Sequence, residues 1–223
     1  ILLTHSLCHD GDFDLANNYA NADYLAFYPW QNLEPHAFDY HTDGRLHSIH
    51  GAGLSFLLMP AYCVLRPLGI PSLRLTMVVF AALLSYQTFR LVYDLWQKQS
   101  YAWAAWGIIT LTQPVFWHSA LVYPDIVCAV LCTSAIRQLI KPGKPPAVLW
   151  LGLIMASLPW LHIRYALFSV VLLYLLLRYH TVAFRQRKWL MRLGLPIILS
   201  AATFISSYLI WYGNPLANDQ YQF

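Results

Sequence analysis

Seven of the ten acidic residues, Asp10, Asp12, Asp14, Asp23, Glu34, Asp39 and Asp43, fall in the first fifty positions together with six of the nine histidines. Within that stretch, HDGDFDLANNY (9–19) alternates acids in a way that can chelate a divalent cation, although Asp and Asn at this density equally build loop turns and caps. HSIH (47–50) sets His47 and His50 at a two-ligand spacing, with His36 and His41 nearby. These spacings assign no metal ligands; a divalent cation is the one cofactor they would suit. Two further positions stand out. Asp125 follows Tyr123 and Pro124 at the start of an apolar run, where an acid either caps a helix N-terminus or is held there for chemistry. Arg164 follows His162 amid Trp160, Leu161, Ile163 and Tyr165, company in which an arginine either snorkels to an interface or partners a carboxylate or phosphate.

The elements that must position these residues are membrane helices. The chain is 58% hydrophobic and 11% charged with a mean hydropathy of +0.46, against about 25% charged for a soluble domain. Basic residues gather in three groups: Arg90 with Lys98; Arg137, Lys141 and Lys144; and Arg178, Arg185, Arg187, Lys188 and Arg192. Lys and Arg mark cytoplasmic loops, so the chain between any two groups must cross the bilayer an even number of times. Residues 101–122 are uncharged and reach the roughly 20 residues that span about 30 Å; a turn at 123–125 then returns through 126–140, with Arg137 snorkelling inward. Residues 147–177 would be roughly 46 Å long as one helix, so they read as a hairpin turning near 159–164. A last crossing covers 193–212.

Between the acidic segment and Arg90 an odd number of crossings is required, yet two apolar runs lie there. Residues 75–93 have spanning length. Residues 51–65 are shorter, contain Pro60, and read as an interfacial segment. The expected architecture is therefore all-α: a polytopic membrane bundle with a large external first loop (1–72) carrying an amphipathic helix at 1–9 and an interfacial helix, a core of about six spans over 73–213, and the start of a second external loop at 214–223. Both ends read as cut. The four cysteines form no CxxC pair, and they read as small core hydrophobes rather than a disulfide framework. No phosphate-cradling glycine loop, GxSxG elbow or HExxH is present, so soluble nucleotide chemistry has no footing and no nucleic-acid partner is expected.

Parity gathers the acidic segment, Tyr123 to Asp125, the His162 and Arg164 turn, and 214–222 on one outer face. The strings HDGDFDLANNYANADY (9–24), GRLHSIHGAGLSFLLMPAY (44–62), SALVYPD (119–125) and LPWLHIRY (158–165), in this order, resemble bacterial integral membrane proteins of the GT-C glycosyltransferase superfamily. More distantly the plan is similar to protein O-mannosyltransferases and to the transferases that place aminoarabinose on lipid A. The resemblance implies a polyprenyl-phosphate-linked sugar as donor and an inverting transfer at the outer face of the bacterial inner membrane. It implies that the family's first acidic motif lies upstream of residue 1, that Asp12 matches a later position without a catalytic role, and that Asp125 matches the second acidic position. A closing external loop would begin near Asn214. On face and chemistry, Arg164, His162, Tyr123 and His50 are the expected substrate contacts, with Arg164 toward phosphate. The acceptor is not readable. A transporter, or a scaffold or sensor with an external binding loop, are the rival classes; charges that cluster at one face with nearly bare span centres favour an interface reaction over passage.

Overall fold

A computed structural model describes residues 1–28, 34–39, 41, 43–113, 115–140, 145–180 and 187–213. Of these, 77% are helical and 2% are in strands, so the chain is all-α apart from one two-residue antiparallel pairing. The inner turn expected at 141–144 and the second external loop at 214–223 lie outside the described residues. The chain divides into two compact units, Ile1–Leu73 with Ala201–Phe223, and Arg74–Ser200.

In the first unit, α1 (Leu2–His9) packs against α3 (Gly53–Val64). The buried positions of α3, Ser55, Leu58 and Tyr62, recur at helical spacing and give it one inward face. At 12 residues it is about 18 Å long, short of a crossing, as its sequence implies. Cys8 and Cys63 are joined in a disulfide with Cα atoms 5.7 Å apart, which corrects the expectation that all cysteines are core hydrophobes. The two lie 55 positions apart, and only the side-by-side packing of α1 and α3 makes them neighbours.

The acidic loop is built by its own carboxylates. Asp14 Oδ1 accepts from the Ala16 and Leu46 backbone N–H groups, and Ala16 opens α2 (Ala16–Ala20). Asp12 Oδ1 accepts from Ser6 and from the Asp14 N–H. Asp39 accepts from three loop N–H groups, at His41, Asp43 and Gly44. Fixed in this way, β1 (Ala37–Phe38) pairs with β2 (His47–Ser48). A small core of Leu3, Leu15, Ala37 and Ala52 forms beneath, with Phe13, Leu46 and Trp211 against it.

Among the described residues two helices are long and apolar enough to cross a bilayer: α4 (Ile70–Trp96, 27 residues) and α10 (Arg187–Tyr212, 26 residues), each about 40 Å at 1.5 Å per residue. Both carry residues of the two units. The uncharged run 101–122, expected as one span, is instead α5 (Gln99–Leu111) and the single turn α6 (Val115–His118). Thr112 ends α5 in extended conformation, φ −113° and ψ 168°. Gln113 precedes Pro114, and the residue before a proline is sterically kept from helical backbone.

The other expected spans form helices: α7 (Pro124–Ile140), α8 (Val148–Leu161) and α9 (Ala166–Tyr179). The turn at His162 falls within the expected hairpin. At 17 and 14 residues these helices measure about 25 and 21 Å. Along α8, the positions Gly152, Ala156 and Trp160 recur every four residues and meet α10. A Cβ on Gly152 would lie 2.8 Å from the Leu193 carbonyl oxygen. Ser200 donates to the Ala156 carbonyl at 2.6 Å and accepts from the Trp160 indole at 2.9 Å. Glycine is required here because the two backbones touch.

Arg137 has a protein partner that its sequence did not name. Its head group is held by protein: its Nε and Nη2 reach Asp94 Oδ2 at 3.0 and 2.8 Å, its Nη1 donates to Gln87, and its side chain is 11% exposed. A carboxylate one helix away satisfies the guanidinium more fully than water at the rim would. The pair clamps α7 to α4.

Candidate functional site

Pro124 opens α7, where its missing N–H removes nothing the helix would have used. Asp125 follows in the first turn. Across from it, α8 ends at Leu161, and His162 adopts extended backbone, φ −168° and ψ 139°. The His162 Nδ1 accepts the Arg164 backbone N–H at 3.3 Å and so caps the 3₁₀ turn Ile163–Tyr165. That turn aims two side chains at one oxygen. Asp125 Oδ1 accepts from Arg164 Nη2 at 2.9 Å and from the Tyr165 hydroxyl at 2.8 Å. Arg164 Nη2 also donates to the Tyr165 oxygen at 3.0 Å, which closes a three-residue ring. The guanidinium carbon stands 5.0 Å from the centre of the Tyr165 ring.

Exposure divides the labour. Tyr165 is 4% exposed and forms the buried floor, whereas the Asp125 and Arg164 side chains are 46% and 56% exposed. Among the described residues no partner takes Asp125 Oδ2, so one carboxylate oxygen is fixed and the other carries no hydrogen bond. Burial pushes the Tyr165 hydroxyl up to about 12, with the Asp125 carboxylate adding to the rise against the Arg164 hydrogen bond. It therefore remains a protonated donor at neutral pH. The Arg164 guanidinium is pushed up, first by its bond to Tyr165. Burial, then the nearby Arg164 charge, lowers His162 below its usual value; the imidazole is neutral and free to accept the capping bond.

Of the expected site residues, the structure thus brings Asp125, Arg164 and His162 together. Tyr123 is 54% exposed, its ring edge-on to His118 at 6.3 Å, and it takes no part in the hydrogen-bonded ring. His50 lies in the first unit, where its N–H donates to Ser48 Oγ at 3.2 Å and its ring stacks near His36 at 6.4 Å. His47 is edge-on to Tyr212 at 6.4 Å, and burial lowers its pKa first of all. Among the described residues, no three histidine, cysteine or carboxylate side chains converge as a metal site would need. At Asp125 the neighbouring cation is the Arg164 guanidinium. The donor set therefore does not fit a divalent ion, and no step below runs through one.

Tyr165 was not among the expected site residues. Its signal was the tyrosine directly after Arg164, but that its hydroxyl turns back to a carboxylate 40 positions away is a tertiary fact. No protein-family model, curated protein or solved structure matches the chain. The class the fold and site define is a helical chain with two membrane-length helices and an acid, arginine and tyrosine held together where helices turn.

Proposed function

We propose that the chain belongs to a multi-pass glycosyltransferase of the GT-C type in the bacterial inner membrane, moving a sugar from a polyprenyl-phosphate donor to an acceptor on the non-cytoplasmic side. The observation that carries this reading is Asp125: one oxygen is immobilised by Arg164 and Tyr165 and the other is left without a hydrogen bond on a half-exposed side chain. An inverting transfer needs a carboxylate that orients or deprotonates the acceptor hydroxyl, and positive charge for the departing phosphate. Asp125 Oδ2 suits the first role. The half-exposed Arg164 retains N–H groups for the second. The disulfide between Cys8 and Cys63 supports an oxidising compartment for α1 and α3, the same side that charge parity gives the acidic loop. In this reading α5 with α6, α7, α8 and α9 are four short crossings completed by flanking turns, α3 lies in the outer interface, and the bilayer itself delivers the lipid-linked donor.

The experiment is Asp125→Asn in the full-length protein, scored for membrane abundance and for sugar transfer from a polyprenyl-phosphate donor. Asn caps a helix about as well as Asp, so abundance should hold. Loss of the charge should reduce transfer by about 10²-fold or more. Unchanged transfer would leave Asp125 a structural cap, and solute passage without transfer by the wild type would favour the transporter reading.

A further inference from the structure

Two of the four cysteines are spent in the disulfide; the other two, Cys128 and Cys132, are free. They sit one turn apart on α7 with their sulfurs 4.0 Å from each other. Residues at this spacing share one helix face, and Asp125 lies one turn before Cys128 on the same side.

We propose that Cys128 and Cys132 form a two-thiolate chelate for a soft, thiophilic centre, the arsenic(III) of a monosubstituted arsenical. Sulfur binds such centres at about 2.3 Å, taking the zinc–thiolate length as guide. Half of the 4.0 Å separation lies within that reach, so rotation of the two side chains lets both sulfurs meet one atom without moving the backbone. Ligand softness excludes magnesium and calcium. Charge and valence then select among soft centres. Zinc would need two more ligands, and copper(I) on two thiolates would leave a net negative charge near the Asp125 carboxylate, where like charges repel. An organoarsenic(III) completes its three bonds with the two sulfurs and is neutral. The step balances: R–As=O and two S–H groups give R–As(S)₂ and water, the arsenic–oxygen bond breaking as two arsenic–sulfur bonds form, with both thiol protons leaving on the oxygen and no change of oxidation state. Cys128 is buried and Cys132 half-buried, so entry suits a lipophilic reagent.

The test uses full-length protein in detergent, its disulfide intact, with phenylarsine oxide as probe and intact mass as readout. The expected result is one arsenical per chain, with both thiols then protected from a lipophilic maleimide. The adduct should be removed by ethanedithiol but resist a monothiol about 100-fold better than Cys128→Ser or Cys132→Ser, because the second bond closes intramolecularly. No adduct, maleimide reaction at either thiol, or equal retention by the single variants overturns the proposal. The wild-type stoichiometry decides the matter if a serine variant fails to fold, and none of these readouts depends on sugar transfer.

Discussion

Replacing Asp94 by leucine leaves the Arg137 guanidinium between α4 and α7 with Gln87 as its remaining partner. The pair is well shielded, with side chains 11% and 17% exposed and the shorter bond at 2.8 Å. Removing one member of a buried ion pair costs about 3–5 kcal/mol, because the other is left charged and unpaired. Asp94→Leu should sit in that range. Arg137→Leu should cost less, since Arg90 Nη2 stands 3.8 Å from the other Asp94 oxygen and is 40% exposed, able to turn toward the vacated carboxylate. The double variant removes both charges and leaves Gln87 short of a donor, about 1 kcal/mol, while Arg90 also loses its 3.8 Å ion-pair contact but is 40% exposed to water. At about 2–4 °C per kcal/mol for a chain of this size, Asp94→Leu should lower Tm by roughly 10 °C and the double variant by less than about 4 °C. The assay is thermal unfolding in detergent followed by near-UV circular dichroism, run as a double-mutant cycle. A double variant that loses the sum of the two single losses refutes the coupling, and with it the clamp between α4 and α7.

Gly152→Ala should cost about 2 kcal/mol and lower membrane abundance, because its Cβ would stand 2.8 Å from the Leu193 carbonyl oxygen; Gly107→Ala, with open space around it, is the control and should be silent. Cys8→Ser should destabilise the first unit by about 4 kcal/mol, from closure of a loop spanning 55 positions in the chain-entropy account; unchanged protease resistance of residues 1–64 would refute this. His162 is lowered from 6.5 by burial, so as pH falls below 6.5 the unfolded chain takes its proton first and stability drops, whereas above 6.5 this contribution is fully present. His162→Gln should flatten that slope in Tm measured from pH 7 to pH 5, and an unchanged slope would show the imidazole to be no part of it.

Much of this architecture was legible from local pattern. Helix positions at α1, α3, α4 and α7 to α10, the hairpin at His162, and the turn-building role of Asp14 all follow from apolar run length, proline placement and the way Asp and Asn bond nearby backbone. The pairing of Asp125 with Arg164 was half legible, because an arginine in apolar company implies some anionic partner without naming it. What sequence could not decide were relations between distant positions. Cys8 finds Cys63 because α1 lies along α3; Arg137 finds Asp94 because its long side chain reaches from α7 to α4; Tyr165 finds Asp125 because a single 3₁₀ turn faces the start of α7. The split of 101–122 at Thr112 is of another kind, since Pro114 two residues on was a local signal, but hydropathy counts apolar residues and is blind to the backbone a proline forbids. Hydrophobic periodicity encodes which segments become helices, but the partner across a helix contact is set by packing geometry, to which no single segment's sequence is sensitive.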